Sequence, residues 1–257
     1  MLGAIAGDII GSVHEGAGTK TVDFPLFRRG SVFTDDTVLT VATADCLLQG
    51  GDYTDYYHAY FHTWPGAGFG GNFFGWASAR DRRPYYSYGN GAAMRVSPVG
   101  FAGACLEEVL EEARRSAAVS HDHPEGVRGA QATAAAIFLA RSGLDKDAMR
   151  ERIETLFGYD LERSLDAIRP GYRFDVSCQG SVPESIIAFL EAHDYEGTIR
   201  NAISLGGDAD TMACIAGGIA EAYYGPLPEH IRTPVWQRLD PQLRAVTERF
   251  AARHCSY

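Results

Sequence analysis

The opening residues constrain the fold more than any other stretch. In Gly3-Ala4-Ile5-Ala6-Gly7-Asp8-Ile9-Ile10-Gly11-Ser12 the glycines recur every fourth residue, at 3, 7 and 11. On a helix that spacing puts all three on one face. A face without side chains lets another helix approach very closely, so this segment is expected to pack tightly in a helical structure. It has little in common with a phosphate-binding P-loop, since no Gly-Lys-Ser/Thr follows. Asp8 lies within it and Glu15 follows two turns later, so both carboxylates can face one side. Glu15 stands beyond the expected helix end, where it can reach a ligand as a movable group.

The rest of the chain reads as helix too. Apolar residues recur at helical spacing over 37–48, 53–64, 101–118, 127–140, 195–205, 211–224, 228–239 and 242–251. Asp145 caps a helix over 146–157. Ser181-Val182-Pro183-Glu184 has a capping-box pattern with an early proline, which predicts a helix from there to about 193. A short helix is expected over 92–96, ended near Ser97-Pro98. Residues 65–91 read as a loop and 158–180 as mixed surface structure. Extended alternation is almost absent. The expectation is an all-α, compact, single-domain fold over residues 1–257 with ten to twelve helices. No fixed-period repeat supports a solenoid.

Bulk properties remove other classes. The chain is 46% hydrophobic and 22% charged, which excludes a disordered chain and a coiled coil. Its formal charge of -10, without a basic stripe, argues against generic nucleic-acid binding. No signal peptide is read at the start, and the apolar stretch 209–220 is too short for a membrane span. The five cysteines are widely spaced with no CxxC, which fits a reduced, cytoplasmic protein and not a cysteine zinc site. A monomer that does not engage membranes is expected.

Two aspartate clusters carry the chemistry. Phe33-Thr34-Asp35-Asp36-Thr37 and Gly206-Gly207-Asp208-Ala209-Asp210-Thr211 each put two carboxylates and a hydroxyl just before an apolar helix. Helix capping explains one such residue at each start. Four carboxylates near apolar helix starts are costly unless a cation neutralises them. If the clusters converge, the ligand set is oxygen only and suits Mg²⁺ or Mn²⁺, with enough carboxylates for two ions. The calcium-loop pattern of an EF-hand is absent.

These pieces, with Tyr88-Gly89-Asn90-Gly91-Ala92-Ala93-Met94-Arg95 and Ser120-His121 between them, resemble the ADP-ribosylglycohydrolase family, which includes the bacterial enzyme that reactivates dinitrogenase reductase. They stand in the family's order, from residue 3 to about 225. The resemblance implies an all-helical fold with a two-metal cleft, magnesium or manganese, and hydrolysis of the bond between ADP-ribose C1″ and an acceptor. It implies that Thr34, Asp35 and Asp36 ligate metal from one side and Asp208, Asp210 and Thr211 from the other. Glu15 matches a gating carboxylate of related eukaryotic members. Tyr88, Gly89, Asn90, Gly91, Met94 and His121 would line the ADP-ribose cleft. The region 64–76 matches a family loop only loosely, and the compact chain leaves the acceptor open: arginine, serine or another group, on protein, nucleic acid or a small molecule.

The residues themselves leave roles open. Glu15, Asp35 or Asp36 can act as the catalytic carboxylate. Gly89 and Gly91 can expose backbone N–H groups to a diphosphate, or form an ordinary Asn-Gly turn. Arg95 can reach phosphate or be solvated. Tyr85, Tyr86 and Tyr88 can stack on adenine or pack on the surface. His123 has no third soft ligand nearby for zinc. Ser120 reads as a cap or supporting residue, and Cys178 as a weak cleft-lining candidate. Two alternatives share the aspartate pattern: a two-metal phosphoester or pyrophosphate hydrolase, and a catalytically silent ADP-ribose-binding module.

Overall fold

The opening helix, α1 (Leu2–Gly11), is buried along almost its whole length. It lies antiparallel on α13 (Ala209–Tyr224), with backbone against backbone. A methyl group added at Gly11 would stand 2.6 Å from the Ala209 carbonyl oxygen, and one added at Gly7 would overlap the Ala213 carbonyl. One at Gly3 would meet the Gly217 carbonyl. The contact is therefore spaced by four residues on both helices. The Tyr195 hydroxyl donates to the Gly3 carbonyl at 2.6 Å, and the Gly3 N–H donates to Glu221 at 2.7 Å.

The computed structural model describes residues 1–255, which form fifteen helices and no strand. After α1 come α2 (Asp35–Gln49), α3 (Tyr53–Thr63), α4 (Gly71–Ser78), α5 (Gly91–Met94), α6 (Ser97–Ala102), α7 (Leu106–Ala118) and α8 (Pro124–Arg141). Then follow α9 (Lys146–Phe157), α10 (Leu165–Ile168), α11 (Cys178–Leu190) and α12 (Tyr195–Ser204). After α13, α14 (Glu229–Arg238) and α15 (Pro241–His254) complete the order. Helices α1, α2, α8, α11 and α13 contribute most of the main core. A smaller apolar cluster of Ala, Val and partly buried Leu and Phe joins α5–α8.

The all-α expectation holds, with more helices than expected because α4 and the short α6 and α10 add to the segments read as helix. The expected loop over 65–91 contains α4. Phe73 and Trp76 of α4 pack on Phe61 and His58 of α3, which gives a glycine-rich segment a reason to be helical. The helix expected over 101–118 is broken at Gly103, which is extended and has Val109 packed where a side chain would stand. The short helix expected over 92–96 ends before Ser97-Pro98, as α5, and Ser97-Pro98 also starts α6, since proline fits a first turn. The helix expected from Ser181 begins earlier, at Cys178. Ser177 is its cap, accepting from the Gly180 N–H at 3.2 Å, and Pro183 lies inside the helix. Among the described residues no helix is long and apolar enough to cross a membrane.

Candidate active site

Several chain segments meet at one cleft of about 340 Å³, within the usual range of small-molecule sites. One end of it is acidic. Thr34 caps α2, accepting from the Asp36 N–H at 3.3 Å, and this aims Asp35 and Asp36 inward. Asp208 and Asp210 stand at the start of α13, next to the close α1 contact. Glu15 comes from the exposed turn after α1.

These side chains form two groups of three carboxylates: Asp8, Asp36 and Asp210, and Glu15, Asp208 and Asp210. In each, one oxygen per residue lies within 4.8 Å of the others, and Asp210 belongs to both. Asp8, Asp36, Asp208 and Asp210 are buried. Among the described residues none of the carboxylates in these groups has a Lys or Arg partner in an ion pair. Burial, then repulsion from Asp210 and Asp8, holds Asp36 well above the usual carboxylate range. Burial and Asp208 do the same to Asp210. Asp36 Oδ1 is buried with no hydrogen-bond partner. An orphaned carboxylate oxygen among crowded carboxylates fits a hard divalent cation, and the two groups are capable of chelating one.

Thr211 and Thr34 adjoin this end. The Thr211 hydroxyl donates to Asp36 Oδ2 at 3.3 Å, and the Thr34 hydroxyl lies 3.4 Å from the same oxygen. Asp8 fastens α1 to the start of α2. Its carboxylate accepts from the Thr34 N–H at 2.9 Å, the Thr34 hydroxyl at 2.7 Å, the Thr37 N–H at 3.1 Å and the Thr37 hydroxyl. Burial raises it to about 6 despite those bonds. Asp35 lines the cleft but belongs to neither group of three; burial, then Asp8, raises it to about 8.

A cation also stands behind the cleft lining. Arg95 is fully buried, with its guanidinium 4.2 Å from the centre of the Tyr57 ring. His121 is buried on the cleft wall, and burial together with Arg95 holds it well below the usual histidine range. The imidazole is therefore neutral near pH 7. The Asn90 side-chain amide donates to Asp208 at 2.8 Å and to Ser181 at 3.2 Å. The Met94 sulfur lies 3.9 Å from the Thr211 hydroxyl.

The family model for ADP-ribosylglycohydrolases matches residues 1–256. The chain belongs to the ADP-ribosylglycohydrolase family. It is 29% identical to mouse ADP-ribosylhydrolase ARH3 over 88% of this chain and 82% of that protein. It is 29% identical to the ADP-ribosylarginine hydrolase Tri1 of Pseudomonas putida over 58% of this chain and 43% of that one. A solved chain titled ADP-ribosylglycohydrolase-related protein complex superposes with a TM-score of 0.70 at 25% identity, covering 98% of this chain and 96% of that one. These likenesses support a glycosidic-bond hydrolase in general terms.

In this glycohydrolase-family chain, Glu15, Thr34, Asp35, Asp36, Asp208, Asp210, Thr211, Gly89, Asn90, Gly91, Met94 and His121 all line the cleft. Tyr88 does not: it is exposed, its carbonyl accepts from the Cys178 N–H at 2.9 Å, and its ring packs on His123. Tyr85 occupies the wall instead. The Gly89 N–H is engaged by the Ser87 hydroxyl at 3.1 Å, so it is not offered to a ligand. His123 caps α8 through Nδ1. Cys178 is buried away from the cleft, its thiol directed at the Gly89 carbonyl. The sequence reading left Asp8 without a site role. Its only signal there was the spacing to Glu15, since its threonine partners lie 26 and 29 residues away.

Proposed function

We propose that this chain hydrolyses the bond between C1″ of ADP-ribose and an acceptor group, releasing intact ADP-ribose, with two Mg²⁺ or Mn²⁺ ions at the acidic end of the cleft. The observation that carries the reading is the pair of carboxylate groups sharing Asp210, in a cleft whose wall also includes the buried Arg95. A substrate that carries both ribose hydroxyls and a diphosphate suits a site with both kinds of group. Thr34, Asp35, Asp36, Asp208, Asp210, Thr211 and Glu15 would hold the ions. Bound there, the ions would supply neutralisation of the carboxylates and electrostatic orientation of ribose oxygens and water.

The chain's own groups do the remaining work. Positive charge grows at C1″ as the glycosidic bond breaks, in the manner of other glycosidases. Glu15, Asp35 and Asp36 stand on the side where that charge develops and stabilise it. One carboxylate, either Glu15 on its exposed turn or Asp35 outside both groups of three, takes the proton from the attacking water, and the acceptor group leaves with the bonding electron pair and a proton. Gly91, Asn90, Met94 and His121 hold the nucleotide portion against the opposite wall. Residues 1–257 act as one domain and one monomer in this reading, and the acceptor is arginine, serine or another group.

The test is a panel of arginine-, serine- and nucleobase-linked ADP-ribosyl substrates, incubated with each metal and read by product mass. Release of intact ADP-ribose from at least one is the expected result. AMP as the product would instead identify a phosphoester or pyrophosphate hydrolase. Binding of ADP-ribose with no turnover across the panel would identify a silent binding module. Asp36→Asn and Asp210→Asn are expected to lower bound metal and turnover together; unchanged values in both would remove the metal assignment.

A further inference from the structure

Arg95 heads the fully buried side chains by volume and has no carboxylate partner among the described residues. One of its nitrogens, Nη2, donates to the Ser116 carbonyl at 2.9 Å and to Ser120 Oγ at 2.8 Å. Its Nε and Nη1 are buried without a partner. A buried cation in this state is costly, and its one side-chain partner leads directly to the cleft: Ser120 Oγ is 2.8 Å from His121 Nδ1. The far nitrogen of that imidazole lies beside the turn at Gly89–Gly91. A methyl group built on Gly91 would be 3.1 Å from His121 Nε2, and one on Gly89 3.6 Å.

The direction of this chain follows from what each group can do. A guanidinium only donates, so Ser120 Oγ accepts from Arg95 and keeps its own O–H to give. If His121 carried its proton on Nδ1, that N–H and the Arg95 guanidinium would take both lone pairs of the serine oxygen, and the serine O–H would be left with only the weaker Tyr85 oxygen as acceptor. With the serine O–H donating to Nδ1, the three groups align head to tail and each bond polarises the next. Tyr85, hydrogen-bonded to Ser120, can give its own proton to the second lone pair of the serine oxygen, whereas a bare imidazole Nδ1 can only accept and is the stronger acceptor for the serine O–H.

We propose that Arg95, acting through Ser120, holds His121 as the neutral tautomer protonated on Nε2, so that the cleft wall presents one fixed hydrogen-bond donor to a substrate oxygen. Arg95 and Ser120 are positioning residues; His121 alone touches the ligand. The ligand's identity as ADP-ribose rests on the proposed function, whereas the tautomer does not.

The experiment is a long-range ¹H–¹⁵N correlation on histidine-labelled full-length protein without substrate, with His121 assigned by the signal lost in His121→Gln. The expected pattern is a protonated Nε2 and a bare Nδ1. Ser120→Ala removes the relay with little change in volume and is expected to give mixed tautomers. It should also weaken ADP-ribose binding, measured calorimetrically, by about tenfold, the scale of one hydrogen bond. Ser120→Thr restores the hydroxyl and is expected to restore both. A proton on Nδ1 in the wild type, or an unchanged tautomer in Ser120→Ala, overturns the relay. The expected tautomers with no ADP-ribose binding by the wild type would support the relay and overturn the function.

Discussion

Gly7→Ala puts the close contact of α1 and α13 to a test in which two physical effects have opposite signs. Alanine is the better helix former by about 1 kcal/mol in a helix interior, so propensity alone predicts a more stable protein. The structure predicts the reverse. The added methyl would stand 2.8 Å from the Cys214 nitrogen and closer still to the Ala213 carbonyl. To reach an ordinary separation of 3.4 Å from Cys214 alone, the helices must part by about 0.6 Å. Both colliding groups are backbone, so no rotamer change relieves the overlap. Overpacking of this kind costs about 1–3 kcal/mol and sometimes more. Set against the propensity gain, a net loss of up to about 2 kcal/mol is expected, or a fall in Tm of up to about 8 °C for a chain of this size. Gly75→Ala in exposed α4, where the added methyl has open space within 4 Å, is the control and should be neutral or stabilising. Because Asp8 follows Gly7 directly and Asp210 lies at the start of the facing helix, Gly7→Ala should also weaken Mn²⁺ binding. Thermal melts with chelator and a Mn²⁺ titration read both effects. A Gly7→Ala protein as stable as Gly75→Ala, with unchanged Mn²⁺ affinity, would refute the argument.

Two further predictions concern the carboxylates. Asp8 is raised to about 6 and Asp35 to about 8, from an ordinary 3.8, so the cation-free native state holds these protons more tightly than the unfolded chain does. Their contribution to stability is therefore full below about pH 4 and is lost as pH rises through about 6 to 8. Melts in chelator should show Tm falling between pH 5.5 and 8.5, and Mn²⁺ should raise Tm more at the higher pH; a flat profile would contradict the crowding. Asp8→Asn leaves one acceptor oxygen for the four donors from Thr34 and Thr37. It should cost about 1–3 kcal/mol in urea unfolding, and no loss would mean that Asp8 does not fasten α1 to α2.

What the sequence disclosed, and what it hid, divides by range. Asp145 caps α9 through the Ala148 N–H at 2.9 Å, a local bond that the residues announce. Gly225 ends α13 for the same local reason, with a positive φ of 87°. The meeting of Asp36 with Asp210 was legible as a condition, because carboxylates set before apolar helices are costly without a shared cation. The cap of α11 reads as Ser181 because Glu184 stands three residues on, whereas Ser177, the observed cap, bonds the Gly180 N–H with no acid at that position to announce it. Arg95 reads as solvated until Ser116, Ser120 and Tyr57, from other segments, close around it. Tyr88 and Tyr85 are chemically alike, so nothing local says which one faces the cleft.

The pairing of α1 with α13 also has a consequence for how the chain is made. The Gly3 N–H and Glu221 are 218 positions apart, so α1 leaves the ribosome long before α13 can cover it. Until then a segment almost wholly destined for burial stays uncovered, the condition in which nascent chains aggregate or recruit chaperones. Such long-range closure also slows folding. The delay has a compensating effect: Asp8 and Asp210 are kept apart until the rest of the scaffold is available to hold them together.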